Sequence, residues 1–174
     1  LLVGEQHDAP DHQRLQRELV VQLASRGELG ALVLEMAPQG ASTRGLAANV
    51  PESEVQEALQ WTASNGGWPW PVYGPVVMAA VRAGVPVLGG NLPRTAMAAA
   101  MKNTALDGLL ERDALMEQQA NIRKGHCDLL PETQIAPMTR IQIARDQAMA
   151  QTAVQALRRG QTVLLVAGNE HVRR

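Results

Sequence analysis

The sequence has no phenylalanine, one tyrosine and one cysteine among its 174 residues. A single cysteine excludes an internal disulfide and a thiolate metal cluster. Lys and Arg number 16 against 17 Asp and Glu, so the formal charge is -1, and no basic run is present to face a nucleic-acid backbone. The uninterrupted apolar runs, such as Val76 to Val81, are all too short to span a bilayer. We therefore expect a globular domain that does not bind nucleic acid, with any binding chemistry carried by His, carboxylate, amide or Tyr groups.

The few aromatic side chains are concentrated in one segment. Trp61, Trp68, Trp70 and Tyr73 all fall within thirteen residues. Aromatic rings usually supply much of the buried area of a core, and here the core must instead be built from Leu, Val, Ala and Met. The concentration of rings indicates a local use, either as a cluster that pins a long loop or as the wall of a ligand site.

Short apolar runs alternate with helical patterns, which predicts an α/β fold with a mainly parallel sheet and flanking helices. The predicted strands are Leu1–Val3, Ala31–Met36, Val85–Leu88 and Thr162–Ala167. The first helix is predicted to begin near residues 8–11 and to end at Gly27, with Leu15, Leu19 and Leu23 on one face. The other predicted helices cover about 52–61, 75–83, 93–102, 105–122 and 135–159.

The domain organisation follows from the same pattern. The stretch of about 93–160 shows no strand pattern, so we interpret it as a helical insertion before the last strand of a single domain, 1–174. The chain starts at Leu1 inside one apolar run and stops at Arg174 just after another. We therefore expect both termini to be trimmed.

Polar residues stand where the predicted strands end, and we call this set the strand rim. Its members are Glu5, His7, Glu35, Asn91, Asn169 and His171. The carboxyl ends of parallel strands meet at one edge of a sheet, which is where ligands bind in open α/β folds. A single polar residue after a strand often only caps a turn, but several at one edge favour a binding crevice.

Glu35 interrupts an apolar segment that should be buried on both faces of the sheet. A buried carboxylate without a partner is costly, so we expect a cation, a metal or several donors beside it. The candidate partners are His7, His171, Arg94 and Arg145. A salt bridge that only fixes the packing is the structural alternative.

One chemistry for the strand rim is hydrolysis of an ester or peptide, either metal-dependent or based on Glu and His. Imidazole and carboxylate groups are ligands for a zinc-like or manganese-like ion, and metal-bound water is a hydrolytic nucleophile. The candidate residues are Glu5, His7, His12, Glu35 and His171. Since no helical His-Glu-x-x-His motif is present, such a site depends on tertiary convergence.

The second chemistry is haem binding by Trp68-Pro69-Trp70-Pro71-Val72-Tyr73-Gly74-Pro75, which we expect to be a stiff loop before a helix opened by Pro75. A Tyr oxygen favours ferric iron and is a recognised axial ligand of haem, while Trp and Met side chains can form apolar walls. Tyr73 is thus the candidate iron ligand, with Trp68 and Trp70 as walls. The loop Arg123-Lys124-Gly125-His126-Cys127 could bind haem propionates, although a solvated helix end is the commoner use of such a sequence.

Taken in order, seven motifs resemble the ChaN-like haem-binding uptake proteins of the Tiki and ChaN superfamily, which also includes erythromycin esterase-like hydrolases. The motifs are 2–8 (Leu-Val-Gly-Glu-Gln-His-Asp) with His12, 32–36 (Leu-Val-Leu-Glu-Met), Trp68-Pro69-x-x-x-Tyr73-x-Pro75, Asn91-Leu92-Pro93-Arg94, His126-Cys127-x-x-Leu130-Pro131, Gln142-x-x-Arg145-Asp146-x-x-Met149-Ala150, and Ala167-Gly168-Asn169-x-His171-Val172-Arg173. The resemblance covers nearly the entire chain.

The resemblance implies a bacterial cell-envelope protein for iron-regulated haem uptake. It implies a location in the periplasm or on the outer membrane through a lipid anchor beyond this sequence, with an outer-membrane haem receptor as a possible partner. It also implies ferric haems face to face between the subunits of a homodimer, with a Tyr of one subunit on the iron and a His and a Lys of the other on the propionates.

Carried onto this chain, the resemblance makes Tyr73 the iron ligand and Lys124 or Lys102 the Lys partner, and leaves His126, His7 and His12 open as the His partner. The hydrolase branch keeps a Glu and a His after the first strand and a Glu near the end of the second, which match Glu5, His7 and Glu35. The leading hypothesis is therefore non-enzymatic haem binding, with the hydrolase as the alternative.

Overall fold

The computed structural model describes residues 1–62 and 67–172. Four strands form an all-parallel sheet in the order β1-β4-β2-β3, which confirms the predicted α/β class. The strands are β1 (Leu2–Glu5), β2 (Leu29–Pro38), β3 (Val87–Asn91) and β4 (Thr162–Gly168). The helices are α1 (Pro10–Ser25), α2 (Glu52–Ala58), α3 (Trp70–Arg82), α4 (Arg94–Lys102), α5 (Arg112–Gly125) and α6 (Glu132–Ala156), with 3-10 turns at Thr104–Gly108 and Asn169–His171.

The chain divides into two compact units. The sheet unit comprises Leu1–Asn91 and Ala148–Arg174, and the helical unit comprises Leu92–Gln147. In the helical unit a small buried cluster is formed by Ala100, Leu106, Ile143 and Ala144. In the part of the chain that the structure describes, no helix has both the length and the apolar character needed to cross a membrane.

β2 is buried on both faces of the sheet, because successive side chains of a strand point to opposite sides. Leu32 and Leu34 belong to the core cluster that contains Val76 and Val77 of α3. Val33, between them, belongs to a second cluster with Leu165 of β4. The apolar run that predicted this strand is thus explained by two separate packing layers.

Gly89 is required where β3 passes close to β2. A Cβ atom at this position would lie 2.0 Å from the carbonyl oxygen of Pro38, well inside any allowed contact. The pairing of β2 with β3 is irregular in the same region, between Leu34 and Pro38. The absent side chain therefore lets the two backbones approach at the end of the sheet.

α3 begins at Trp70, five residues before the predicted helix start at Pro75, so the expected stiff loop is largely helical. Pro71 lies in the first turn, where its missing N–H costs nothing. Pro75 lies inside the helix, and burial of neighbours such as Tyr73 and Val76 offsets the lost backbone hydrogen bond. Because Tyr73 lies in this helix and not in a loop, the helix geometry determines the direction in which its side chain points.

The segment predicted as one helix at 105–122 is instead a 3-10 turn followed by α5. Lys124 lies in the last turn of α5 and His126 directly follows the helix, so the predicted polar loop starts later than expected. The remaining helices and strands differ from the prediction by a few residues at their ends.

Candidate functional site

At the carboxyl ends of the strands, two carboxylates and one glycine of the sheet unit lie close together, namely Glu5, Glu35 and Gly168. The parallel register pairs Glu5 of β1 with Gly168 of β4. The backbone N–H of Gly168 donates a hydrogen bond of 2.6 Å to Oε2 of Glu35, at the end of β2. The topology therefore brings both rim carboxylates next to the end of the same central strand.

Glu5 is 1% exposed and accepts four hydrogen bonds. Its Oε1 accepts from His7 Nδ1 at 2.7 Å and from the Tyr73 hydroxyl at 2.6 Å. Its Oε2 accepts from the Nε2 atoms of Gln13 and Gln16, at 3.2 and 2.6 Å. Burial alone would raise the pKa of Glu5, but the hydrogen bonds from His7, Tyr73 and Gln16 outweigh it and hold the pKa below its usual value. Glu5 is therefore a carboxylate at neutral pH.

His7 is the half-exposed member of the site, with 44% of its side chain accessible. The hydrogen bond to Glu5 raises the pKa of His7, although burial acts in the opposite direction. A proton on Nδ1 leaves Nε2 as the free nitrogen of the neutral ring. Among the described residues none hydrogen-bonds to Nε2, which lies beside Gly168. The ring of Trp68 stands edge-on to the imidazole at 5.9 Å.

Glu35 has the partner that its burial in β2 required. Its Oε1 lies 3.4 Å from Nε2 of His171, one of the four residues predicted as candidates. Both side chains are almost completely buried, at 3% for Glu35 and 8% for His171. The Glu35 and His171 pair is thus an inner layer of the site, while His7 is the group that faces outward.

Tyr73 lies in helix α3, which corrects the prediction of a stiff loop, and its hydroxyl is not open to solvent. Its role as the iron ligand remains a prediction. The residue is 2% exposed, and its hydroxyl donates to Glu5 and lies 3.3 Å from His7 Nδ1. Burial, the hydrogen bond to Glu5 and the charges of Glu5 and Glu35 raise the pKa of Tyr73 far above its usual value. In this structure Tyr73 is a buried phenol whose hydroxyl holds the Glu5 carboxylate.

The two tryptophans predicted as walls have different surroundings. Trp68 is half-buried next to His7, and its carbonyl oxygen accepts a hydrogen bond from Nε1 of the buried Trp61. Trp70 packs edge-on against Trp61 at 5.3 Å and donates from Nε1 to Glu52 at 3.0 Å. Trp70 also lines a groove of about 560 Å³ that contains Arg17 and Arg82. Trp68 is therefore the tryptophan placed at the rim.

The other predicted polar residues have local contacts. Lys124 and His126 are exposed at the end of α5 in the helical unit, where His126 Nδ1 donates to the carbonyl of Ile122 at 2.8 Å. Lys102 is the exposed last residue of α4. His12 Nδ1 accepts from the backbone N–H of Gln6 at 2.9 Å. The role of these residues toward propionates remains a prediction.

Two functional candidates, Gln13 and Gln16, were not found from the sequence. They lie on the buried face of α1 together with Val20, whereas Leu15 of the predicted face is 53% exposed. Each amide donates from Nε2 to Glu5, and Gln13 also donates to the carbonyl oxygen of Gln6. Neither Oε1 has a hydrogen-bond partner among the described residues. The spacing of three and four residues between 13, 16 and 20 was the available indication.

The arrangement supplies an oriented imidazole more readily than a metal centre. Within residues 1–62 and 67–172, no group of three or more His, Cys, Asp or Glu side chains is arranged to hold a metal ion. The carboxylate of Glu5 fixes one nitrogen of His7 and leaves the other to act as a base or as a ligand.

Comparison with known proteins identifies the family. The family model for haem-binding uptake, Tiki superfamily, ChaN, matches residues 1–174. A solved structure described as cofacial heme binding to ChaN of Campylobacter jejuni superposes with a TM-score of 0.70 at 22% identity, over 96% of this chain and 69% of that one, and this likeness shows the shared fold. A search of curated proteins found no match. Because the family model spans the whole sequence, the chain belongs to the ChaN haem-binding uptake family of the Tiki superfamily.

Proposed function

We propose that this protein binds haem as the cargo of a haem-uptake system. The observation that carries the proposal is the match of the haem-binding uptake family over the whole chain. The solved structure of Campylobacter jejuni ChaN, which is described as showing cofacial heme binding, supports it. The strand rim adds suitable chemistry, because it places a half-exposed imidazole beside an indole ring.

We also propose that the haem is ferric and lies between two copies of the chain, at the bacterial cell envelope. This part rests on the family resemblance, in which propionates are held by a His and a Lys of the partner copy. Lys124 and His126 suit that role because both are exposed at the end of α5. An outer-membrane receptor that delivers or accepts the haem belongs to the same proposal.

The test is a titration of the purified protein with ferric haem, followed by absorption spectroscopy and by sedimentation. We expect a saturable change of the Soret band and a shift from monomer to dimer as haem is added. Lys124→Ala should weaken binding if this Lys holds a propionate, and Lys102→Ala should weaken it instead if Lys102 is the partner. A spectrum that stays equal to that of haem in buffer would contradict haem binding. Saturable binding to a protein that remains monomeric would contradict only the proposal that haem lies between two copies of the chain.

A second candidate function is hydrolysis of an ester or peptide by acid–base catalysis, and the Glu5–His7 pair favours it. A carboxylate that orients an imidazole is the arrangement of a general base, since Nε2 can then take a proton from water. Wild-type protein should then hydrolyse activated esters faster as pH rises through the pKa of His7, and Glu5→Gln should lower the rate. Absence of turnover in the wild type would eliminate this candidate.

A further inference from the structure

We propose that the groove between α1 and α3 binds an acidic amphipathic helix of a partner protein. The groove has a volume of about 560 Å³ and lies within the sheet unit, where α1 and α3 pack against each other. Arg17 and Val21 of α1 line one side, and residues of α3 from Trp70 to Arg82 line the other. The inference concerns a protein interaction and is independent of haem binding.

The shape of the groove suits a helix better than a small molecule. Its α3 wall extends from Trp70 to Arg82, which is about 18 Å at a rise of 1.5 Å per residue. Arg17, Pro75 and Arg82 at its borders are exposed, whereas a site for a small molecule encloses most of its ligand. An amphipathic helix that lays its apolar face in an open groove is a recurrent mode of recognition.

The indole of Trp70 forms a fixed apolar wall. A Cβ atom at Gly74 would lie 2.7 Å from Cε2 and Nε1 of Trp70, so the absent side chain lets the indole lie against α3. Nε1 donates to Oε2 of Glu52 at 3.0 Å, and the ring packs edge-on against Trp61. Met78, which also lines the groove, is 3% exposed and has the adaptable side chain typical of binding surfaces. A rigid ring and a flexible thioether therefore form the apolar part of the groove.

The charges of the groove favour an acidic partner. Throughout the described residues no ion pair or side-chain hydrogen bond involves the exposed Arg17. Arg82 lies 3.9 Å from Oε1 of Glu52, and the other oxygen of that carboxylate accepts from Trp70. Two guanidinium groups thus stand against one carboxylate, and the groove keeps a positive charge. Because a guanidinium binds a carboxylate through two parallel hydrogen bonds, we expect Asp or Glu beside the apolar face of the partner helix.

The composition of the groove is typical of a protein interface. Trp, Met and Arg are enriched in interfaces, Lys is depleted, and Trp and Arg supply many of the residues that dominate binding energy. Among the described residues that line the groove there are one Trp, one Met and two Arg, and no Lys. This composition agrees with the shape and the charge in favouring a protein partner.

The experiment measures the binding of two fluorescent peptides to the haem-free protein by anisotropy. Both are amphipathic helices of about 14 residues, with Leu and Ala on the apolar face and either Glu or Lys on the polar face. We expect the Glu peptide to bind saturably and the Lys peptide not to bind. Arg17→Glu should weaken binding of the Glu peptide by about tenfold or more, because like charges then meet, and should allow the Lys peptide to bind. Arg112→Glu is the matched control, because it makes the same charge change at an exposed residue of the helical unit.

A second variant, Val21→Ser, tests the apolar contact separately from the charge. Val21 is 49% exposed, so the change leaves the core intact, and it should weaken the Glu peptide without admitting the Lys peptide. Circular dichroism verifies that each variant is folded. Failure of the Glu peptide to bind the wild type, or equal binding to Arg17→Glu, would overturn the proposal. A dimer of the haem-free chain that Arg17→Glu dissociates in sedimentation would also overturn it and assign the groove to a second copy.

Discussion

At the scale of single residues, the Glu5–His7 contact couples folding to pH. The pKa of His7 is raised in the folded protein, chiefly by the hydrogen bond to Glu5, so its contribution to stability is complete below the ordinary value of 6.5 and is lost as pH rises through the raised value. The pKa of Glu5 is lowered, so its contribution is complete above 4.5 and is lost as pH falls through the lowered value. Both contributions are complete together between these two ordinary values.

We therefore expect the thermal midpoint of the haem-free protein to be highest between about pH 5 and 6 and to decrease on either side. His7→Gln should flatten the decrease on the alkaline side, because the variant has no imidazolium to lose. Melting curves recorded by circular dichroism from pH 4 to 9 measure the effect, with His12→Ala as the control. An unchanged alkaline slope in His7→Gln would show that another group is responsible.

Residue positions within the site were predictable where they follow from strand ends. Glu5, Glu35 and His171 could be placed at one edge because parallel strands all end there, and the structure places them around β4. The direction of Tyr73 could not be predicted, since it depends on which side of α3 faces the sheet. Gln13 and Gln16 were missed because a glutamine on a helix is normally exposed, and here a buried carboxylate compensates for their burial.

At the scale of elements, the sheet was easier to predict than the helices. β2 and β4 are apolar along most of their length because they are covered on both faces, and such runs are distinctive in a sequence. The start of α3 was hidden by its prolines, which normally mark a boundary. Pro71 is acceptable in a first turn, and tertiary burial outweighs the effect of Pro75. Local preference therefore failed where packing was strongest.

At the end of α5 local sequence preference also failed, because it predicted a loop where the structure has a helix. The Arg-Lys-Gly-His-Cys segment has the composition of a loop, yet Arg123 and Lys124 continue the helix. Arg123 binds Glu132 through two hydrogen bonds of 3.0 and 2.9 Å, which ties the helix end to the start of α6. The chain reverses only afterwards, at Cys127 and Asp128, which both have positive φ angles. This contact between residues nine apart was not visible in the local pattern.

At the scale of the whole molecule, the two compact units differ in how much apolar surface they bury. The sheet unit contains two extended clusters of buried side chains, arranged on the two faces of β2. The helical unit contains the small cluster of Ala100, Leu106, Ile143 and Ala144, supported by the ion pair between Arg140 and Asp107 at 2.7 Å. Because apolar burial is the main term that opposes local unfolding, the units should differ in local stability.

Hydrogen exchange provides the measurement, and α3 and α5 form a matched pair for it because they have 13 and 14 residues. α3 has seven buried residues in the sheet unit, whereas α5 has one, Ile122, in the helical unit. We expect the amides of α5 to exchange at least about tenfold faster than those of α3 at neutral pH, since opening α5 exposes much less apolar surface. Equal protection of the two helices would mean that they open in one cooperative step, and the difference in buried surface would then not govern local stability.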